Sequence, residues 1–289
     1  MGTRKVLRVA VLQPALHWLR PIPNMHALRQ EAERLARPGA IDLIVLPETF
    51  NAQPCDFDEG ESGRQARQFL ATLARACGAA VVGGSIDYAH EDGSRRNTCF
   101  VVAADGREIG RYDKRVLFGR ELDGRQAGNA PGIFELAGLR VGVLICADLW
   151  DPMLARELVG RVDVLCVPCK TTVLSERYTR YARALWWNLA LTRAMENGVV
   201  VAVSDWAEGR HEATRLVAGS TLRETHFTSG AASLCDPSHR PDLDRIQRTL
   251  KGPAAGAIVA DVDLDALERY RAYRRSVGLL PAEPAESFG

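Results

Sequence analysis

What most constrains this chain is a regular alternation of short apolar runs with helical stretches, interrupted by tight-turn dipeptides. Leu7 to Gln13 (LRVAVLQ) reads as a buried strand, and LIVLP at Leu43 to Pro47 as a second. Between them Asn24 is placed to cap a helix with Met25, Leu28, Ala32 and Leu35 on one face, ended by Pro38-Gly39. A further helical pattern carries Phe69, Leu70 and Leu73 and stops at Gly78. Ala80 to Ile86 and Asn97 to Ala103 are expected strands, the first leaving through a polar turn at Asp92-Gly93. Asp105-Gly106 is a hairpin signal, so Arg107 to Tyr112 is expected to pair back antiparallel.

The second half repeats the pattern. Strands are expected at Ile133 to Leu136 and Leu139 to Ile145, with Gly138 between them, then a helix over Met153 to Leu158 and a strand over Val162 to Val167. A long helix from about Glu176 to Asn197 closes at Gly198. Val199 to Ser204, Ala231 to Cys235 and Ala257 to Val262 supply the last strands, and Leu264, Leu267 and Tyr270 stand at helical spacing. Strands alternating with helices, yet mixed with hairpins, predict an α/β layered fold with mixed sheets. Trp206 to Thr228, a polar stretch holding His211, Glu212, Arg223, Glu224 and His226, is read as a long functional or interface loop.

Length alone allows roughly two domains for 289 residues. No Pro/Gly/Ser-rich linker or internal repeat divides the chain, however. The expectation is one domain over 1–289, with its core at about 7–263 and a C-terminal helix and tail at 264–289. Thirty-seven Lys+Arg against 36 Asp+Glu leave a net charge of +1, which removes the electrostatic case for nucleic acid or an anionic membrane surface. The seven cysteines, Cys55, Cys77, Cys99, Cys146, Cys166, Cys169 and Cys235, are odd in number and scattered, unlike a secreted disulfide framework. With no secretory signal, no myristoylation motif and no spanning apolar run, a cytoplasmic protein is expected.

Three polar residues end apolar strands, where α/β scaffolds present reactive groups: Glu48 after LIVLP, Lys114 after REIGRYD, and Cys146 after VGVLI. Singly, the carboxylate and the lysine read as solvated loop residues and the cysteine as a small core hydrophobe. Together they supply a complete set for acyl chemistry. A thiol of ordinary pKa is mostly protonated at neutral pH, so a neighbouring carboxylate must take its proton as sulfur attacks. The oxyanion that forms then needs a positive charge or aimed N–H donors.

On these residues the chain resembles the nitrilase superfamily of carbon–nitrogen hydrolases. LIVLPETF, RYDKRVLFG and VGVLICADLWDP are similar to its three signatures, in order. RVAVLQPA, RRNTCFVVAADGREIGRYDK, RAMENGVVVAVSDWA and GAASLCDP resemble its opening strand, its hairpin to the lysine and its late strands. The resemblance implies a four-layer α-β-β-α sandwich with two mixed sheets and a Glu–Lys–Cys triad. It places Glu48 as general base, Cys146 as nucleophile, and Lys114 with the backbone N–H of Ala147 at the oxyanion. Glu121 matches the family's second, supporting glutamate. Cofactors and metals are not part of the expected chemistry; the implied partners are a small-molecule substrate and a second copy of the chain, as a homodimer or larger homo-oligomer.

The chain also departs from the family pattern. Ala147 stands where a bulkier or acidic residue is common, Ser204 where asparagine is usual, and Ala232 where serine is usual, changes expected to alter hydrogen bonding in the pocket. CVPCKTT overlays the segment lining the acyl pocket and brings in Lys170, Thr171 and Thr172. Lys170 either receives a substrate carboxylate or reaches solvent or an internal acid. Trp150 is a candidate border of the pocket, while Trp186 and Trp187 read as packing residues. Cys166-x-x-Cys169 ends a strand rather than starting a helix, against a redox or zinc reading. A small carboxamide is the expected substrate; nitrile or N-carbamoyl hydrolysis, thioester acyl transfer and a non-catalytic binding role stay open.

Overall fold

The computed structural model describes residues 6–36, 41–51, 59–136, 138–217, 220–250 and 253–280. Pro38-Gly39, Cys55 and the tail from residue 281 lie outside them. The first half runs β1 (Val6–Gln13), α1 (Pro21–Leu35), β2 (Leu43–Val45), α2 (Glu59–Cys77), β3 (Ala80–Val82), β4 (Ile86–Ala89), β5 (Arg95–Val102) and β6 (Glu108–Asp113). Then follow β7 (Gly132–Leu136), β8 (Leu139–Val143), α3 (Pro152–Arg156), β9 (Val164–Pro168), β10 (Thr172–Val173), α4 (Thr179–Asn197) and β11 (Val200–Ser204). The chain closes through β12 (Gly209–Val217), β13 (Ser220–Thr228), β14 (Ser233–Cys235), α5 (Leu243–Ile246), β15 (Gln247–Thr249), β16 (Gly256–Asp263) and α6 (Leu264–Ser276).

Two mixed sheets carry the expected sandwich. The first is ordered β16-β1-β2-β3-β5-β4 with β6 also on β5; the second is β15-β14-β11-β9-β8-β7. Each has three parallel strands at its centre, β1-β2-β3 and β8-β9-β11, flanked by antiparallel partners. The period-two alternation of side chains decides the layers. In β1, Val9 and Val11 join the cluster formed with the second sheet, while Ala10 and Leu12 pack with Leu28 and Ala32 of α1 and Leu70 and Leu73 of α2. On the second sheet the outer layer is α4, which sets Trp186, Ala190 and Ala194 against the core, together with Leu267 of α6. Helix–sheet–sheet–helix is the result.

Several local expectations are corrected. Asn24 does not cap α1, which already starts at Pro21; its side chain accepts from His17 N and donates to His17 O, both at 2.8 Å. The expected strand Ala80 to Ile86 is split into β3 and β4 at Gly83-Gly84, because Gly84 takes φ +62 to pass Pro47. The expected loop at Trp206 to Thr228 contains an antiparallel hairpin, with His211 opposite His226, which joins β10 as a third, three-stranded sheet. Its sequence is polar on both faces, so no alternation of apolar residues announces the ladder. Ser204 and Ala232 lie where the sheets meet: Ser204 Oγ donates to Leu12 O (2.6 Å) and the Ala232 backbone N to Gln13 Oε1 (3.0 Å).

α6 is locked to the body by Arg271, buried at its inner face. The guanidinium donates to Gly198 O (2.7 Å), Asp163 Oδ1 (2.8 Å) and Val162 O (2.7 Å). No helix among the described residues is long and apolar enough to cross a membrane.

Candidate active site

Glu48 leaves the end of β2, in the first sheet, on a backbone held from the second. Its N–H donates to Cys169 O at 3.1 Å, and its carbonyl accepts Trp206 Nε1 at 2.8 Å. Trp206 is fully buried after β11. Burying an indole removes roughly 150–250 Å² from water, worth several kcal/mol, so this anchor is a stable one. Thr49, next in the chain, sits in the left-handed region at φ +46, its N–H donating to Ser85 Oγ at 3.1 Å. Gly84 is what lets that loop pass: a Cβ there would lie 2.2 Å from Pro47 O.

Lys114 follows β6. Its N–H donates to Asn97 O (2.9 Å), and Gly128 N donates to its carbonyl (2.8 Å). The ammonium, 2% exposed, meets Glu48 Oε1 at 2.7 Å and Glu121 Oε2 at 2.8 Å. Glu121, from the single turn at Gly119–Leu122, also accepts Phe118 N at 2.9 Å. Asn97 of β5 joins the two carboxylates, donating to Glu48 Oε1 at 2.9 Å and Glu121 Oε1 at 2.5 Å.

Cys146 opens the turn Cys146–Trp150 beyond β8 with φ +46. A left-handed non-glycine residue costs about 1–2 kcal/mol, and here a buried carboxylate holds it. Asp148 accepts Ile145 N (2.9 Å), Tyr112 Oη (2.8 Å), Arg115 N (3.0 Å) and Val116 N (2.6 Å). The same side chain thus clamps the cysteine turn to the residues just after Lys114. Burial pushes the Asp148 carboxyl up to about 6 despite those donors. On the far side, buried Arg193 of α4 donates to Leu149 O at 3.0 Å.

The electrostatics follow from this crowding. Burial pushes the Glu48 carboxyl up, but Lys114, Lys170 and a hydrogen bond with Cys146 outweigh it and leave its pKa below the ordinary carboxylate range. Burial pulls Lys114 down, yet the carboxylates of Glu48 and Glu121 raise it overall, so it stays an ammonium. The thiol of Cys146 is hydrogen-bonded to an ionised carboxylate and shares the site with an ammonium. That arrangement suits a nucleophile, its base and an oxyanion partner.

Of the residues expected around the acyl group, Lys170 is the one drawn in. Its N–H donates to Glu48 Oε2 at 3.1 Å, and its Nζ stands over the rings of Trp18 (3.6 Å) and Trp206 (5.2 Å). Thr171 is buried, with its N–H on Asp205 Oδ1 at 2.8 Å. Trp150 is 47% exposed and meets Trp186 edge-on at 5.9 Å, while Trp186 belongs to the core as expected. Ala147 is buried in the first turn after the cysteine, where backbone N–H groups lack helical partners. Cys166 and Cys169 are fully buried in and just beyond β9.

Asn97, Asp148, Trp18 and Trp206 escaped the sequence reading. For Asp148 a signal exists, a polar residue inside the otherwise apolar run ICADLW, whereas Asn97 only precedes the apolar run CFVV, after two arginines. For the two tryptophans none does, because their partners are remote in the chain.

Comparison with known proteins agrees with this geometry. The family model described as carbon-nitrogen hydrolase matches residues 8–272. The chain is 30% identical over 202 residues to the omega-amidase YafV of Escherichia coli K12, covering 68% of this chain and 73% of that one. It is 28% identical over 271 residues to the deaminated glutathione amidase of Synechocystis, covering 86% and 90%. In fold it is similar to an amidase from Nesterenkonia sp. AN1, with a TM-score of 0.71 at 22% identity over 94% of this chain and 96% of that one. A match running from β1 into α6, across every strand that carries Glu48, Lys114 and Cys146, shows that the chain belongs to the carbon–nitrogen hydrolase family.

Proposed function

We propose that this protein hydrolyses a small carboxamide to a carboxylic acid and ammonia through a thioester on Cys146. The supporting observation is the buried contact of Lys114 Nζ with Glu48 Oε1 (2.7 Å) beside the Cys146 thiol. Cys146 Sγ attacks the amide carbon while its proton passes to Glu48. Lys114 and the N–H of Ala147 stabilise the oxyanion, a contribution of about 10²–10³ in rate for one such donor. Glu48 returns the proton to the leaving nitrogen, the C–N bond breaks, and ammonia departs. Water then attacks the thioester, giving a proton to Glu48; the C–S bond breaks and the proton returns to sulfur. Glu121 positions Lys114 throughout. The relatives named as amidases favour amides over nitriles or ureides as the substrates.

Ammonia release across amides, nitriles and ureides, with intact-mass detection of an acyl adduct, tests this reading. Turnover of amides, an adduct on the wild type, and loss of both in Cys146→Ala are expected. A Cys146→Ala protein as active as the wild type overturns it, as does silence on every amide with no adduct.

We further infer one domain and a homodimer. The Arg271 lock joins the C-terminal helix to the second sheet. Trp150, Met153, Leu174, Tyr178 and Tyr181 leave an exposed apolar face around α3 and the start of α4. Light scattering distinguishes a dimer from a monomer. The six described cysteines are free thiols, which suits a reducing, cytoplasmic setting.

A further inference from the structure

The two cysteines of the CVPC segment are not partners in space. β9 is extended from Val164 to Pro168, so three residues of rise hold Cys166 and Cys169 about 10 Å apart, beyond the roughly 7 Å between Cα atoms that a disulfide can span. The neighbour of Cys169 is Cys146. β8 and β9 run parallel with Val143 opposite Cys166, and three residues further along each strand's exit stand Cys146 and Cys169. Neighbouring strands lie about 4.8 Å apart, inside the disulfide range. Both residues belong to one buried cluster, and their thiols share a hydrogen bond.

The surroundings fix this juxtaposition. Cys169 N donates to Ser204 O at 2.7 Å and its carbonyl accepts Glu48 N at 3.1 Å, so its backbone is held on both sides. Cys146 is 9% exposed, against 1% or less for the other described cysteines, so a small oxidant entering the site meets it first. Burial pushes the Cys77 thiol up to about 11 and that of Cys235 up to about 12, and it raises Cys99 and Cys166 as well, which keeps all four unreactive. Burial and the hydrogen bond with Cys146 likewise hold Cys169 protonated at rest. Glu48, hydrogen-bonded to Cys146, is the base that frees its sulfur.

We propose that Cys169 is a resolving cysteine: hydrogen peroxide entering the site oxidises Cys146, and Cys169 closes a Cys146–Cys169 disulfide that caps the nucleophile reversibly. The Cys146 sulfur, its proton taken by Glu48, attacks the peroxide; an S–O bond forms, the O–O bond breaks, and the hydroxide released collects that proton as water. The Cys169 sulfur then attacks the sulfenic sulfur, an S–S bond forms, the S–O bond breaks, and the thiol proton departs with the oxygen as a second water. Two thiols lose two electrons and the peroxide takes both. With no second thiol in contact, a sulfenic acid at Cys146 stays open to further peroxide and ends as the sulfinic or sulfonic acid, which a thiol does not reverse. The proposal needs only a reactive Cys146 and is independent of which substrate the enzyme takes.

Treatment of the wild-type protein with hydrogen peroxide, read by intact mass and peptide mapping, tests it without requiring turnover. The expected product is about 2 Da lighter, with the Cys146 and Cys169 peptides joined, and dithiothreitol reverses it. Cys169→Ala should instead gain about 32–48 Da at Cys146, and after dithiothreitol should regain at least about tenfold less of its own untreated activity than the wild type regains. Cys166→Ala should crosslink as the wild type does. A wild type left without the crosslink, a bond joining Cys169 to any other cysteine, or equal recovery of Cys169→Ala overturns the proposal. If thermal melts show Cys169→Ala misfolded, the wild-type peptide map decides alone. A crosslink in a protein silent on every amide supports this inference while sinking the amidase reading; turnover of amides without a crosslink does the reverse.

Discussion

Asn97 Nδ2 lies 2.9 Å from Glu48 Oε1. The same nitrogen reaches Glu121 Oε1, so one neutral amide supports two carboxylates that otherwise share only Lys114. A donor to the charged form lowers a carboxylate pKa, and removing it from a buried anion costs about 1.5–3 kcal/mol. Asn97→Leu should therefore lower kcat/KM about 10- to 100-fold. The acid limb of its pH profile should move upward, because Glu48 keeps its low pKa less well. A profile displaced only in height, with an unmoved acid limb, would assign Asn97 a packing role.

Lys170 makes a pH-dependent stability difference testable. Its folded pKa of about 8 lies below the ordinary 10.5, so the unfolded chain binds more protons between those values. The burial penalty is present in full below pH 8 and fades as pH rises towards 10.5. Lys170→Met should exceed the wild type by about 2–3 kcal/mol in urea unfolding at pH 7, and the gap should close by pH 10.5. A gap that stays constant over that interval would exclude ammonium burial as its cause.

Gly84 and Gly78 form a matched pair. Both are left-handed, at φ +62 and +60, but a Cβ on Gly84 meets Pro47 O at 2.2 Å while one on Gly78 meets nothing within 4 Å. Gly78→Ala should cost about 1–2 kcal/mol, the strain alone, and leave activity intact. Gly84→Ala should cost at least about 3 kcal/mol and displace the Glu48 turn, with activity falling further than stability explains. Equal effects of the two substitutions would refute the close approach.

Arg271 tests the C-terminal lock. Arg271→Leu leaves Val162 and Gly198 carbonyls without donors and leaves Asp163 to Arg140. A loss of about 3 kcal/mol is expected, read as a lower Tm with unchanged kcat at low temperature. A melt unaltered by this substitution would show that α6 is held by its apolar face alone.

Two of the strands that carry the triad were legible because each is a short apolar run ending in a polar residue, and the third, before Lys114, because Asp105-Gly106 marks its hairpin. LIVLP before Glu48 and VGVLI before Cys146 can be read locally, since burial on both faces demands such runs. The β12–β13 hairpin was not legible: its polar faces hide the ladder, and its order depends on contacts such as Trp18 stacked on His226 at 5.6 Å. Asn24 was misplaced for a related reason, since whether an asparagine caps its own helix or latches a preceding loop depends on where that loop passes.

The chain by itself determined the alternating layers, the three reactive residue types and their order, because periodicity and strand-end position are local properties. Only the tertiary structure decided which groups share a proton or a charge. Asn97 between Glu48 and Glu121, Asp148 under Cys146, and Lys170 against Trp18 and Trp206 join residues from both sheets. Hydrogen bonds need near contact and Coulomb energies scale inversely with separation, so both belong to distances that no spacing along the chain prescribes.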